Sequence, residues 1–282
     1  MIQLALIAVL SLSPQIQSSW KIESDLSTPE SCYYDEGSQH LFVSNIVGQP
    51  TDKDGQGYIS LYTADGKLKK LKWLDELDAP KGMRADAHTL WVSNITELIS
   101  IDIKTAKIIS RIQIPDSKFL NDIAIDKNSN VYVSDTTGSK IYKITNGKIS
   151  ILIEGVEADG PNGLLVQGED LVVAAWGMPE ADWSTKTPGH LYKINLQTKS
   201  KTNITSVPLG NLDGLEIDSK GNFIVSDWVA GKVYRVSPNG KSELILEGIN
   251  NSADIGYIPT AATLIVPSMG DSKVFAYKLS AK

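Results

Sequence analysis

A short apolar motif recurs six times along this 282-residue chain and constrains its fold more than any other feature. Each copy is rich in β-branched or aromatic residues and follows a turn-like stretch, as β-strands do. The copies start 49, 41, 40, 52 and 41 residues apart. They are HLFVSN (40–45), TLWVSN (89–94), NVYVSD (130–135), DLVVAA (170–175), NFIVSD (222–227) and TLIVPS (263–268). A period of this length predicts a repeat architecture.

Each repeat contains several strand-like runs around this motif. In the third repeat they are DIAID, NVYVSD, KIYKIT and KISILIEG. Four short strands in about 40 residues are typical of a β-propeller blade, so the chain is predicted to be an all-β, six-bladed β-propeller. The sixth repeat ends without a fourth strand. We therefore predict that WKIESDL (20–26) completes the last blade and closes the ring of a single domain, residues 20–282.

The N-terminal segment differs from the repeats. The run IQLALIAVLSL (2–12) has the length of a signal-peptide apolar core and is too short to span a bilayer easily. We predict that residues 1–19 are a signal peptide cut near Ser18 or Ser19, which makes the protein exported, either periplasmic or secreted. No Lys or Arg precedes the run and the A-x-A pattern is missing, so a buried first strand or helix is the alternative. No other segment is long and apolar enough to cross a membrane.

Composition limits the partners. The net charge is -6 and no basic run stands out, which argues against nucleic acid. The single cysteine, Cys32, allows no internal disulfide. Since a closed propeller needs no partner to complete its core, we expect a monomer that acts on a small molecule.

The residue just before each innermost strand is predicted to point into the central channel. In repeat order these residues are Glu30, Lys81, Asn121, Asn162, Asp213 and Ala253. Taken singly, an Asn or Asp before Gly is more often a turn residue. The shared register of two carboxylates and two amides instead favours a hard cation, and the mixture favours Ca²⁺ over Mg²⁺, with another divalent cation left open. A Cys/His cluster, which structural zinc requires, is missing.

Two insertions are predicted to overhang this end of the channel. They are IVGQPTDKDGQG (46–57) and WGMPEADWSTKTPGH (176–190), each between the second and third strands of its repeat. Trp176, Trp183 and Trp228 lie in loops of the same face, either as pocket walls or as loop packing. His190 ends the second insertion and is either a catalytic residue or an ordinary hydrogen-bonded histidine.

The motifs around the four oxygen-bearing residues resemble those of the senescence-marker-protein/gluconolactonase (regucalcin-like) family. They are Glu30 in the first repeat, LNDIAID around Asn121, GPNGLL around Asn162 and NLDGLEID around Asp213, and the resemblance covers about residues 20–282. It implies that Glu30, Asn162 and Asp213 bind a catalytic divalent cation and that Asn121 binds metal or substrate. It also implies that Asp213 is the general base or nucleophile. Phe119 stands where some sugar lactonases have an arginine, which argues against a sugar-acid lactone.

Two functions from different classes follow. The first is a Ca²⁺-dependent hydrolase of a small-molecule lactone, ester or phosphoester. The second is a non-catalytic exported propeller that binds a ligand or partner and holds a structural cation, because the fold alone does not decide function. Three roles are open for Lys81. It binds an anionic substrate or stabilises an oxyanion, it forms a salt bridge with one of the carboxylates, or it replaces the cation. Asp122 either orients the metal ligands or bonds local backbone.

Overall fold

The structure, a computed structural model, describes residues 16–279 and has the predicted six-bladed propeller fold. The first strand is β1 (Gln17–Ile22). Blade 1 contains β2 (Pro29–Asp35), β3 (His40–Asn45), β4 (Gly57–Thr63) and β5 (Leu68–Leu77). Blade 2 contains β6 (Pro80–Asp86), β7 (Thr89–Asn94), β8 (Glu97–Asp102) and β9 (Lys107–Gln113). Blade 3 contains β10 (Leu120–Ile125), β11 (Val131–Asp135), β12 (Lys140–Thr145) and β13 (Lys148–Glu154).

The remaining blades follow the same plan. Blade 4 contains β14 (Pro161–Gln167), β15 (Asp170–Ala175), β16 (Leu191–Asn195) and β17 (Lys201–Asn203). Blade 5 contains β18 (Leu212–Ile217), β19 (Phe223–Asp227), β20 (Lys232–Val236) and β21 (Ser242–Glu247). Blade 6 contains β22 (Gly256–Ile258), β23 (Thr263–Ser268) and β24 (Lys273–Lys278). Short 3-10 turns span Gly155–Glu157 and Pro259–Ala261.

The N-terminal strand closes the ring, as predicted. The strand order in blade 6 is β22-β23-β24-β1, and β1 pairs antiparallel with β24, with Trp20 opposite Ala276. The strand covers Gln17–Ile22, earlier than the predicted 20–26, and Asp25, within the predicted range, has a φ of 63° in the left-handed region, outside the range of a strand. Residues 1–15 of the predicted signal peptide lie outside the described residues, whereas its residues 17–19 form the first half of β1. Cleavage and export stay predictions.

The hydrophobic core lies between the blades. Phe42 of blade 1, for example, packs with Leu90 and Val92 of blade 2, and the ring of Trp73 meets that of Phe42 edge-on at 5.0 Å. Each blade thus buries both faces of its sheet against its neighbours, which a single small sheet cannot do alone. In the part of the chain that the structure describes, no helix has the length and apolarity needed to cross a membrane.

The inner strands carry a repeated β-bulge that positions the channel residues. In blades 1 to 5 the innermost strand pairs with the second strand of the blade, and the register of this pairing shifts near the aligned polar residue, just before the apolar part of the innermost strand. The serine of the VSN and VSD motifs bonds this bulge: Ser44 accepts the backbone N–H of Ser31 at 2.9 Å, and Ser226 accepts that of Gly214 at 2.8 Å. Because a bulge redirects side chains, it turns the aligned polar residues toward the axis.

The glycines that follow these polar residues allow neighbouring inner strands to approach closely. A Cβ atom at Gly163 would lie 2.1 Å from the carbonyl oxygen of Asp213, and one at Gly214 would lie 2.2 Å from the backbone nitrogen of Ile255. A Cβ atom at Gly82 would lie 2.6 Å from Cα of Asp122. The repeated polar-Gly pair therefore reflects close packing at the axis in addition to the chemistry of the polar residue.

Candidate functional site

A cavity of about 420 Å³ opens at the face where the inner strands begin. Its lining includes all five polar residues that the aligned repeats predict, namely Glu30, Lys81, Asn121, Asn162 and Asp213. The sixth aligned residue, Ala253, is buried and has no polar side-chain atom to contribute. Residues from five blades, remote in sequence, thus share one cavity near the axis.

The four oxygen-bearing residues each present a buried oxygen atom that has no hydrogen-bond partner. These atoms are Glu30 Oε2, Asn121 Oδ1, Asn162 Oδ1 and Asp213 Oδ1, and they make up half of the eight such side-chain atoms in residues 16–279. Leaving a buried polar atom unpaired costs about 1–3 kcal/mol. A group of four at the floor of one cavity therefore indicates a binding site for a species that accepts oxygen ligands.

The two carboxylates at this floor have raised pKa values, as expected when no positive charge lies between them. Burial, together with the nearby charge of Asp213, raises the pKa of Glu30 well above its ordinary value. Burial also raises the pKa of Asp213 to about 8, with a further contribution from Asp122 and an opposing hydrogen bond from the Asn162 side chain. A divalent cation between the carboxylates would reverse both shifts, since an opposite charge favours the ionised form. Among the described residues, no group of three or more His, Cys, Asp or Glu side chains is arranged to hold a metal ion, so a cation here would need the amide oxygens or water in addition to the two carboxylates.

Lys81 lies in the cavity wall and makes no ion pair with the ring carboxylates. Its Nζ donates to the carbonyl oxygens of Ala79 at 3.0 Å and Pro50 at 3.1 Å, and it lies 4.4 Å from the centroid of the Phe119 ring. None of the ion pairs among the described residues includes Lys81. Burial lowers its pKa to about 8, while the charge of Glu30 acts in the opposite direction. The carboxylate-pairing alternative is therefore not what the structure has, and the amine does not contact the unpaired oxygens.

Aromatic side chains form the wall above the oxygens. Trp228 packs against Trp176 at 5.7 Å between ring centroids, Trp176 against Trp183 at 5.8 Å, and Trp183 against Phe119 at 4.8 Å. All four rings line the cavity. Trp176 is held by its indole N–H, which donates to the carbonyl oxygen of Trp183 at 3.3 Å. The three tryptophans named from the sequence therefore line the cavity and also pack against one another, and the row continues to Phe119.

Two predicted residues lie elsewhere. Asp122 is buried below the floor, where its carboxylate accepts the backbone N–H groups of Ile123 at 2.6 Å and Leu164 at 2.7 Å. It thus ties blade 3 to blade 4, and burial raises its pKa to about 6 against the opposing charge of Arg84. His190 is not part of the cavity lining, and its Nδ1 lies 3.2 Å from the carbonyl oxygen of Thr205 on the outer side of blade 4.

An ion pair crosses the channel below the floor. Arg84 Nη1 lies 3.0 Å from Glu216 Oε1, which joins blade 2 to blade 5 on the opposite side of the ring. The same guanidinium donates from Nε to the carbonyl oxygen of Ile123 at 3.4 Å and lies 5.2 Å from the Tyr33 ring centroid. One arginine therefore connects four blades.

Sequence reasoning named the three tryptophans of the wall but missed its other apolar residues, Ile46, Pro50 and Met269. The residue directly after the second strand of each blade occupies an equivalent position, and in blades 1, 4, 5 and 6 it lines the cavity as Ile46, Trp176, Trp228 and Met269. These four wall residues could have been predicted from the sequence by extending the repeat alignment one residue past the VSN and VSD motifs. No comparable signal exists for Pro50, which reaches the cavity from the irregular first insertion.

No family model matches this chain, and no curated protein matches it either. Its structure is similar to a gluconolactonase from Xanthomonas campestris, with a TM-score of 0.70 and 14% identity over 94% of this chain and 87% of that one. It is also similar to an inactive variant of virginiamycin B lyase from Staphylococcus aureus, with a TM-score of 0.63 and 15% identity over 94% and 99% of the chains. A chain of a nidogen–laminin complex matches with a TM-score of 0.60 and 15% identity over 79% and 89%. At these identities the likeness shows the propeller fold alone.

Proposed function

We propose that this protein is a divalent-cation-dependent hydrolase of esters or lactones. Glu30, Asn121, Asn162 and Asp213 would hold the cation, and Ca²⁺ suits this mixture of carboxylate and amide oxygens. The observation that carries the proposal is the set of four buried, unpartnered oxygen atoms from four blades at the floor of one cavity. The two carboxylates balance the charge of a divalent ion, and the amides add none.

When bound, the cation supplies Lewis-acid stabilisation for the negative charge that develops on a carbonyl or phosphoryl oxygen. The chain's own residues do the rest. In this proposal Asp213, whose carboxylate interacts with the Asn162 side chain, would accept a proton from the attacking water, or would itself add to the electrophilic carbon as the alcohol oxygen leaves. The floor side chains are themselves buried, which strengthens each electrostatic interaction at the site.

Cation binding and turnover test the proposal separately. Calorimetry with Ca²⁺ should show one tight site in the wild-type protein, and Asp213→Asn and Glu30→Gln should each weaken it by at least about tenfold, since each removes one charged ligand. Asp182→Asn is the matched control, because Asp182 also lines the cavity but is exposed and accepts hydrogen bonds from Ser184. Hydrolysis of a lactone and aryl-ester panel should require the cation and stop on addition of a chelator.

The outcomes separate the two classes of function. Tight Ca²⁺ binding with no hydrolysis across the panel would establish a non-catalytic, cation-stabilised propeller. Hydrolysis that survives both the chelator and Asp213→Asn would contradict this assignment of the site. Export stays part of the proposal, and N-terminal sequencing of protein recovered outside the cytoplasm tests the cut near Ser18 or Ser19.

A further inference from the structure

The cavity contains a buried positive charge without a counter-charge in contact. Lys81 is 1% exposed, and its ammonium group is held by two neutral carbonyl oxygens and the face of Phe119. Lysine is almost never fully buried unless it is paired. Within residues 16–279 the buried arginine of the channel has such a partner, since Arg84 contacts Glu216 at 3.0 Å. The lysine of the cavity lies farther than 4.0 Å from every described carboxylate oxygen.

Charge balance identifies what is missing. If the floor binds a divalent cation, as proposed above, that cation neutralises Glu30 and Asp213, and Lys81 is then left without a balancing charge among the buried side chains that line the cavity. The nearby buried carboxylates Asp122 and Asp254 are not part of the lining and interact with the charge of Arg84. The remaining carboxylate of the lining, Asp182, is exposed at the mouth, and its Oδ1 accepts both the backbone N–H and the hydroxyl of Ser184 at 3.1 and 2.6 Å. The charge inside the cavity is therefore complementary to a ligand with a single negative charge.

The shape of the cavity places that charge at the end of an apolar surface. The four rings form a continuous row from Trp228 through Trp176 and Trp183 to Phe119, and the ammonium of Lys81 lies on the Phe119 face. A ligand that follows this row contacts aromatic side chains along most of its length and meets a cation where the row ends. The volume of about 420 Å³ accommodates a molecule of one or two rings.

We propose that Lys81 is the recognition element for a carboxylate, and that the substrate is an apolar or aromatic ester or lactone that carries one carboxylate besides its scissile bond. This proposal rests on the proposed function for the scissile bond, while the anion subsite stands on the contacts of Lys81 alone. Two of the three ammonium donors are occupied by carbonyl oxygens, which fix the direction of the group before a ligand binds. Such preorganisation lowers the cost of forming a charged hydrogen bond.

The test compares two probes of equal shape and different charge, phenylacetate and its neutral isostere phenylacetamide. Quenching of the cavity tryptophans and calorimetry report their binding without any turnover. In the wild-type protein with Ca²⁺ present, we expect phenylacetate to bind at least about tenfold more tightly than phenylacetamide, as charged hydrogen bonds exceed neutral ones. We call the affinity for phenylacetate divided by that for phenylacetamide the affinity ratio. Lys81→Met should reduce the affinity ratio to about one while phenylacetamide still binds, and Lys81→Arg should preserve most of it.

Lys118→Met is the matched control, because Lys118 is an exposed lysine next to Phe119 in sequence that does not line the cavity. Its ratio should equal that of the wild type. If Lys81→Met does not fold, the ratios of the wild type and of Lys81→Arg decide. Equal binding of the two probes in the wild type overturns the proposal, as does a ratio that survives Lys81→Met.

The same experiment distinguishes this proposal from the proposed function. A ratio that survives Lys81→Met but disappears with chelator would place the carboxylate on the cation, which overturns the role of Lys81 and supports the metal site. The protein could instead neither bind Ca²⁺ nor hydrolyse esters and still prefer phenylacetate in a way that depends on Lys81. This result would support the anion subsite and exclude the proposed hydrolase function.

Discussion

Replacing Arg84 by methionine should destabilise the protein much more than the removal of any single surface ion pair. The side chains of Arg84 and Glu216 are only 16% and 13% exposed, and the pair spans the ring from blade 2 to blade 5. Methionine leaves Glu216 buried without its partner, and breaking a buried pair in this way costs about 3–5 kcal/mol. For a domain of this size, 1 kcal/mol corresponds to about 2 °C in Tm, so the expected loss is roughly 6–10 °C.

The assay is urea unfolding, followed by tryptophan fluorescence, with Tm measured in parallel. The double variant Arg84→Met/Glu216→Leu should recover the part of the loss that comes from Glu216, because it removes both charges of the pair together, while Asp122 and Asp254 still lose the nearby charge of Arg84. Arg111→Met is the matched control: Arg111 contacts Glu97 at 2.7 Å but is 41% exposed, so its loss should stay below about 1 kcal/mol. The reasoning is refuted if Arg84→Met costs no more than this control, or if the double variant is as unstable as the single one.

Three further predictions concern pH, packing and closure. Burial raises the pKa of Asp213 from 3.8 to about 8 when no cation is bound. In the presence of a chelator, the folded protein therefore keeps a proton that the unfolded chain releases. The free energy of unfolding should then fall as the pH rises from about 4 to 8. Urea titrations across that range check the sign, and Ca²⁺ should remove the decline. Gly163→Ala should cost about 1–3 kcal/mol because its Cβ would meet the Asp213 carbonyl at 2.1 Å, whereas Gly37→Ala, with its nearest atom at 3.5 Å, should be tolerated. Deleting Gln17–Ile22 should expose the edge of β24 and lower Tm by roughly 10 °C, and an unchanged Tm would contradict the role of β1 in closure.

The sequence predicts the fold and the floor of the cavity because both are repeated. Six copies of one motif define the blades, and the register of the copies places Glu30, Asn121, Asn162 and Asp213 around one axis. The same alignment answers why Asn and Asp precede Gly, since the bulge turns the polar side chain inward and the glycine admits the next strand. A repeated feature can be recognised by comparing a chain with itself.

Features that occur once could not be predicted in the same way. Arg84 and Glu216 both lie three residues after the aligned channel position, but the pairing depends on the width of the channel, which the sequence does not give. His190 ends an insertion that overhangs the cavity, yet its ring faces Thr205 because the chain reverses into β16 at that point. Trp183 has a φ of 66°, a left-handed conformation that no sequence pattern in the insertion indicates.

The pairing of β1 with β24 also governs when the propeller can finish folding. Trp20 has no strand partner until the segment around Ala276 has been synthesised, so the first five blades can assemble while the sixth still lacks its outer edge. Contacts between such distant segments form slowly, because a long loop must be closed before they give any stabilisation. The last event of folding should thus be a single β-strand docking onto an otherwise complete ring, and the newly made protein presents an open sheet edge until that strand arrives.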